Sequence, residues 1–243
     1  MKNLIVIFFL FPLCSFGQIL NGEYLSTLMI QSTIIEDEDK VGNNIIVESI
    51  ASDVINGSYN MVKHTLISFK FNKNTVEIRD LVLDKFITTK YTQTGNQISL
   101  IDNFEGNYHL QDSDEFITLV QKVDDSTSII IYLVKLPSKH SLMKREALIE
   151  GTLKVNDEKT RINNTELGLD FGTSQALGKW EYESNRVTYS GLEIYYLKNV
   201  YQNPVPVFIV NKSTENRMSG TLIVYDNRKE PSKRLMKYKF QIK

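Results

Sequence analysis

The 243-residue chain contains a single cysteine, Cys14. Disulfide frameworks, zinc–thiolate sites and cysteine nucleophiles are therefore excluded together from the rest of the chain. The chain also lacks an excess of positive charge, because 28 Lys and Arg residues stand against 29 Asp and Glu residues, a formal net charge of −1. Since nucleic-acid binding requires a basic surface, we expect no nucleic-acid partner.

Long apolar runs are missing as well. The clearest one, residues 4–13, is too short to span a bilayer, and it follows Lys2 and precedes Ser15-Phe16-Gly17. This pattern is typical of a signal peptide, here residues 1–17, cleaved before Gln18. We therefore expect an exported protein, periplasmic or extracellular, with no transmembrane segment in the mature chain. The alternative is a lipid anchor at Cys14, although a lipobox requires a small residue where Leu13 stands.

Recognisable catalytic and metal-binding motifs are also missing from the sequence. His64, His109 and His140 share no metal-ligand spacing, and the twelve glycines form no phosphate-binding loop. The acidic segment 36–39 lacks the ligand spacing of an EF-hand, so a solvated loop is the simpler interpretation than a calcium site. The sequence nominates no catalytic residue, no metal ligand and no cofactor.

Alternation of apolar and polar residues dominates what is present. Ile67, Phe69 and Phe71 fall on one face of a predicted strand, and residues 236–243 alternate apolar side chains with lysine or glutamine. The turn residues Thr94-Gly95-Asn96 separate two such runs, as in a β-hairpin. These patterns predict an all-β fold of antiparallel, hairpin-linked strands.

Helix signals are few. The best candidate is residues 137–150, with Ser138 or Ser141 as the N-terminal cap, and a shorter alternative is residues 48–55. The first of these also separates two strand-rich halves. We therefore predict a barrel domain over residues 18–137 and a second β domain over residues 138–243, with one continuous β domain as the alternative.

The first half resembles a known family. Gly22-Glu23-Tyr24 is similar to the opening motif of lipocalins, which is glycine, any residue and tryptophan, with tyrosine in the tryptophan's place. A meander of predicted strands follows, over residues 69–80, 86–93, 97–101, 107–111, 115–121 and 129–136. Residues 22–136 thus resemble the small lipocalin-like (calycin) barrels of exported bacterial proteins, which implies an antiparallel barrel. For the second half we expect another antiparallel β unit, a barrel or a sandwich, with few short helices.

Aromatic residues supply the candidate ligand site. Five of them can line an apolar cavity or stack on a ligand: Tyr24, Trp180, Tyr182, Tyr189 and Tyr196. The alternative is plain core or cross-strand packing, because tyrosine favours strands. The leading functional hypothesis is non-catalytic binding of a small apolar or amphipathic ligand inside the barrel.

Charge asymmetry motivates the second hypothesis. Residues 211–243 contain nine Lys or Arg residues and three Asp or Glu residues. A basic face suits an anionic partner, so the alternative function is a cell-envelope interaction or structural module that binds a protein or polymer through its surface. The structural interpretation of the same lysines is a solvated strand face. An enzyme is a third hypothesis, for which the sequence picks no residues.

Overall fold

The computed structural model describes residues 20–34, 52–55, 58–102, 106–112, 116–143, 151–155, 158–165, 168–170, 184–197, 205–225 and 235–243. The predicted signal peptide, Trp180 and Tyr182 lie outside these residues. Over the described residues the secondary structure consists of strands and turns, without a helix, which confirms the predicted all-β class. None of these segments forms a helix long and apolar enough to cross a membrane.

Nine strands form the first sheet. They are β1 (Gly22–Ile34), β2 (Ser52–Ile55), β3 (Ser58–Phe71), β4 (Thr75–Asp80), β5 (Lys85–Thr94), β6 (Gln97–Ile101), β7 (Gly106–Asp112), β8 (Ile117–Lys122) and β9 (Thr127–Lys135). Consecutive strands from β3 to β9 pair as an antiparallel meander. β1 pairs with β9 on one edge and with β3 on the other, so eight strands close into a barrel and β2 is added beside β3. A closed eight-stranded antiparallel barrel is what the lipocalin resemblance implied.

The barrel interior follows from the period-two pattern. Successive side chains of a strand point to opposite faces, so one alternating set faces inward. The inward set is a continuous apolar cluster of fourteen buried residues, Leu20, Tyr24, Phe69, Phe71, Val76, Tyr91, Ile98, Leu100, Tyr108, Leu110, Ile117, Leu119, Ile131 and Leu133. The predicted hairpin turn is present between β5 and β6, where Gly95 takes a φ of 58°, a conformation that glycine adopts without steric cost.

Eight further strands form the second sheet. They are β10 (Gly151–Val155), β11 (Glu158–Thr165), β12 (Gly168–Asp170), β13 (Ser184–Tyr189), β14 (Leu192–Leu197), β15 (Val205–Thr214), β16 (Arg217–Tyr225) and β17 (Leu235–Ile242). Their order is β12-β11-β10-β17-β16-β15-β14-β13, and every pairing is antiparallel. The predicted second antiparallel β unit is therefore confirmed.

Part of the second sheet is buried on both faces. Tyr195 and Phe208 belong to a cluster on one face, together with Leu222, Phe240 and Ile242. Their neighbours in β14, β15 and β16 belong to a cluster on the opposite face that also contains residues from the outer surface of the barrel. The members of this second cluster, here called the inter-sheet cluster, are Leu25, Leu66, Leu81, Phe116, Val134, Leu136, Tyr189, Leu192, Ile194, Val207, Ile209 and Ile223.

The predicted helices are wrong over the described residues. Residues 137–143 are not helical, and the backbone of Ser141 instead bridges to Lys212, donating to the carbonyl of Asn211 at 2.8 Å and accepting from the amide of Ser213 at 2.9 Å. This pairing occurs at a β-bulge of β15, where the register shifts between Val210 and Lys212 and leaves backbone groups open. Residues 144–150 lie outside the described part of the chain. In the shorter candidate, residues 52–55 form strand β2. The domain boundary after residue 137 stays a prediction.

Candidate functional site

The two ends of the barrel differ in how their interiors are filled. The first end, called the Gly22 end, is where β1 begins and where β3, β5, β7 and β9 finish. The second, called the Asp80 end, is where β1, β4, β6 and β8 finish. Both names refer to the barrel strands alone.

The Gly22 end is filled by aromatic rings. Phe71 contacts Tyr24 edge-on with ring centroids 5.8 Å apart, contacts Tyr91 edge-on at 5.3 Å and stacks on Phe69 at 6.4 Å. All four residues are buried. Edge-on aromatic pairs pack densely and add some stabilisation beyond the area that they bury. This half of the interior is therefore occupied by the protein's own side chains.

The segment before β1 covers the same end. Leu20 is almost fully buried in the interior cluster, and its amide donates to the Gln93 side-chain oxygen at 3.0 Å. The hydroxyl of Tyr91 donates to the Leu20 carbonyl at 3.3 Å, and that of Tyr24 donates to the carbonyl of Asn21 at 3.3 Å. Burial raises the pKa of both tyrosines, so they remain neutral donors. The Leu20 side chain therefore closes the Gly22 end, and the hydrogen bonds to its backbone hold it in place.

The ring of Tyr108 lies in the barrel interior toward the Asp80 end, beside Gly106 at the start of β7. It packs over Gly106, where a Cβ atom would lie 2.7 Å from the ring carbon Cε2. Tyr108 is 2% exposed, and burial raises the pKa of its phenol to about 12. A side chain at position 106 would compete with the ring for this space, so the glycine leaves room for the Tyr108 ring at this end.

Toward the Asp80 end the interior has aliphatic residues that are only partly buried, alongside polar residues such as Gln121, which lies opposite Ile129 and shares its face. Met29, Ile67, Ile78 and Ile129 pack against the interior cluster without joining its buried core. Ile87 faces Ile78 across the β4–β5 pair and is 37% exposed. Solvent thus reaches apolar interior surface at the Asp80 end and is excluded from it at the Gly22 end.

Exposed apolar residues surround the same end. Val82 and Leu83 lie in the β4–β5 turn with 49% and 64% of their surface exposed. The turn is ordered by Asp80, whose Oδ1 accepts from both of their amides at 2.9 Å. Besides Ile87, three more exposed large apolar residues of the barrel lie where strands meet this end, namely Phe86, Ile101 and Val123. We call Val82, Leu83, Phe86, Ile101 and Val123 the apolar rim.

The structure separates the aromatic residues that the sequence nominated. Tyr24 is part of the plugged Gly22 end, whereas Tyr189 belongs to the inter-sheet cluster and Tyr196 packs against that cluster. Burial raises the pKa of Tyr196, and the negative charge of Asp80 raises it further. The pKa of Tyr189 is raised by burial and then by Glu23 and Glu77, while Ser68 and Lys70 oppose the shift. Whether any of these residues contacts a ligand stays a prediction.

The aliphatic residues of the Asp80 end were not selected from the sequence. Alternation identifies which residues of a strand share a face, but every barrel strand contributes inward residues to both ends. Distinguishing a plugged end from an accessible one requires the β1–β9 closure and the burial of Leu20. The sequence signal that was available is the exposed Val82-Leu83 pair in a turn, where polar residues are usual.

Among the described residues one carboxylate is buried, that of Glu193. Glu193 is 5% exposed, accepts from the Tyr195 hydroxyl at 3.2 Å and lies 3.5 Å from the Arg186 guanidinium. Burial raises the pKa of Tyr195 to about 12, and Glu193 contributes in the same direction. Within the described segments, no three His, Cys, Asp or Glu side chains converge as a metal site would require.

Comparison of the chain with protein-family models, with curated proteins and with solved structures finds no match. The likeness to lipocalins therefore rests on barrel architecture alone, and function has to be argued from the geometry of the site.

Proposed function

We propose that the protein binds a small apolar or amphipathic molecule, without catalysis, in the half of the barrel that opens at the Asp80 end. The observation that carries the proposal is the burial gradient along the interior. Aromatic side chains and Leu20 fill one end, while Met29, Ile67, Ile78 and Ile129 leave apolar surface accessible at the other.

The chemistry of these residues supports an apolar ligand. Water in contact with aliphatic interior surface is unfavourable, and replacing it gains roughly 25 cal/mol for each Å² of apolar area buried. Ligand sites of barrels commonly lie in the mouth, which matches the accessible half. Because the Tyr108 ring occupies part of this end, the ligand that fits is short or enters only by one apolar chain.

The apolar rim supports an amphipathic ligand that is taken from a lipid or an aggregate. Exposed side chains such as Leu83 and Phe86 can contact the apolar part of a molecule before it enters the barrel. Arg79 lies over the Phe86 ring at 4.9 Å and is paired with Glu77 and Asp84 at 3.5 and 3.6 Å, so the support for an amphipathic ligand comes from the apolar rim itself. Predicted export would bring the protein to envelope lipids, which are molecules of this kind.

A native mass spectrum of the gently purified protein is the first test. We expect a reproducible extra mass that disappears when the protein is denatured. The released molecule should be soluble in organic solvent. A second test uses a dansylated fatty acid as a probe, because dansyl fluorescence rises in an apolar site. Absence of probe binding at all concentrations below its aggregation limit would contradict the proposal.

Matched variants locate the site. Ile129→Trp places a large ring among the accessible interior residues, and we expect it to weaken probe binding at least about tenfold. Thr92→Trp adds the same ring at an exposed position of β5, whose inward neighbours are Tyr91 and Gln93, and should leave affinity unchanged. Equal affinities of the two variants, with folding verified by circular dichroism, would place the probe elsewhere and reject the barrel site.

A further inference from the structure

The second sheet has a cationic face that is separate from the barrel mouth. In β17, Phe240 and Ile242 are buried, while Lys239, Gln241 and Lys243 are exposed on the opposite side. Residues directly opposite in paired strands share a face, so the cross-strand register extends this side over neighbouring strands. Along one such row, Lys154 lies opposite Gln241, Gln241 opposite Ser219 and Ser219 opposite Lys212.

Two adjoining depressions lie on this face. The larger has a volume of about 530 Å³ and is lined by Lys154, Lys212 and Lys239 with the polar side chains of Asn211, Ser219, Thr221 and Gln241. The smaller, of about 280 Å³, shares Lys212, Ser219 and Gln241 with it and adds Arg217 and Lys243. Together they form one groove, here called the cationic groove, with five positive side chains and no acidic lining residue.

Three lysines of the groove have no acidic partner within the part of the chain that the structure describes. Among the described residues, no carboxylate forms an ion pair with Lys154, Lys212 or Lys239. Lysines on barrel strands differ, since Lys70 pairs with Glu23 at 3.0 Å and Lys90 with Asp102 at 3.2 Å. Like charges grouped on one surface without counter-charges attract an anionic partner, because their electrostatic potentials add along that surface.

We propose that the cationic groove binds an extended acidic polysaccharide through its carboxylate groups. Lys154 and Lys212 stand three strand spacings apart, about 14 Å at about 4.8 Å per strand, so one small anion cannot contact both. A chain with repeated carboxylates can contact all three lysines. Ser219, Thr221, Asn211 and Gln241 supply hydroxyl and amide groups between the charges, which match the hydroxyl groups of sugars.

Other polyanions fit the groove less well. Single-stranded nucleic acid binds through aromatic platforms, and the aromatic residue that lines the groove, Phe240, is 1% exposed. Phosphate recognition favours the forked guanidinium of arginine, whereas the larger depression has only lysines. A concave groove also follows a polymer chain more closely than the flat surface of an anionic membrane.

The test measures binding of labelled oligogalacturonate, a carboxylated glycan, and of its fully methyl-esterified form, which has the same backbone without charge. We expect the acid form to bind at least about tenfold tighter and its affinity to fall as salt is added. The triple variant Lys154→Gln, Lys212→Gln and Lys239→Gln should lose at least about tenfold in affinity. A control triple, Lys73→Gln, Lys85→Gln and Lys90→Gln, changes net charge equally on the barrel and should retain binding.

Several outcomes would overturn the proposal. Equal losses in the two triple variants would mean that binding follows net charge and not the groove. No binding of oligogalacturonate or of oligomannuronate at low salt would exclude a carboxylated glycan. Tighter binding of polyglutamate or of phosphatidylglycerol vesicles, lost only in the groove variant, would assign the face to an acidic protein or a membrane. The barrel probe tests a different site, so either proposal can fail alone.

Discussion

The barrel and the second sheet bury their apolar residues in different ways. Each barrel strand has one inward face, and closure through β1 gives the meander a single interior. The central strands of the second sheet have apolar residues on both faces, with Phe208 on one side and Ile209 on the other. Closure thus lets alternating strands form a core alone, whereas the open sheet buries both of its faces with the help of residues from the outside of the barrel, Leu28 on one face and Leu25 on the other.

Among the variants proposed here, Gly220→Ala should lower the free energy of unfolding the most. An added Cβ would overlap the carbonyl oxygen of Ile209 in the neighbouring strand, and this backbone cannot move without breaking the β15–β16 pair. We expect the free energy of unfolding to fall by more than about 4 kcal/mol, and the second sheet to unfold before the barrel. Urea unfolding followed by circular dichroism and limited proteolysis measures it.

The matched control is Gly95→Ala, which has open space around it and costs only about 1–2 kcal/mol for the left-handed backbone. If the barrel stays protease-resistant in Gly220→Ala, it folds independently of the second sheet. A single loss of both regions would instead mean that the inter-sheet cluster makes them one cooperative unit.

Phe71→Ala tests the self-contained core of the barrel. The ring is 2% exposed and contacts three other aromatic rings, so its removal leaves a cavity that costs about 3–5 kcal/mol. Its counterpart in the second sheet is Phe208→Ala, which removes an edge-on contact with Phe240 at 5.1 Å. Calorimetric melting temperatures compare the two. A negligible effect of Phe71→Ala would argue against a filled Gly22 end.

Leu25→Ala tests the contact between the two regions. Leu25 is fully buried in the inter-sheet cluster although it points out of the barrel, and its truncation should cost about 2–4 kcal/mol. Hydrogen exchange should rise in β14–β16 as well as in β1. Leu133→Ala, at a buried position inside the barrel, should raise exchange mainly in barrel strands. Identical exchange patterns would show that the clusters are not energetically distinct.

The smallest expected change in stability comes from raising the pH, through the ionisation of one buried tyrosine in each region. Burial raises the pKa of Tyr108 in the barrel and of Tyr195 in the second sheet to about 12, from 10.0. The folded state retains these protons longer than the unfolded state, so their stabilisation is complete below pH 10 and is lost as pH rises toward 12. In that range, each tyrosine lowers the free energy of unfolding by at most about 1.4 kcal/mol per pH unit.

Absorbance of ionised tyrosine during a pH titration measures this effect, and Tyr108→Phe and Tyr195→Phe assign the late steps. Ionisation of the two tyrosines at two different high pH values would indicate that the two regions unfold independently as the pH rises. Titration of both groups near pH 10 would contradict their burial.

The difference between the regions also explains what the sequence predicted. In β3 and β17 polar residues separate the apolar ones, so the face to which each residue belongs was predictable from Ile67 to Phe71 and from Met236 to Ile242. In β15, residues 206–210 are all buried and show no alternation. The helix predicted from residue 137 failed because the pairing of Ser141 with β15 depends on a distant bulge that no local pattern encodes.

The candidate sites were predictable only in part. The sequence contained the basic strand Lys237–Lys239–Lys243, but the groove needs Lys154 and Lys212 from strands far apart in the chain. Similarly, alternation revealed inward residues such as Ile78, but not that solvent reaches them. Both features arise from which strands become neighbours, and a single sequence specifies that only through the complete fold.

The closure of the barrel by β1 has a consequence for the order of folding. Tyr24 pairs with Lys135, which follows it by 111 residues, whereas the hairpins from β3 to β9 join strands adjacent in the chain. Pairings between distant strands form slowly, because the entropy cost of closing a long loop comes before any stabilising contact is made. We therefore expect the meander to form early, with exposed edges on β3 and β9, and β1 to be the late strand that removes both edges at once.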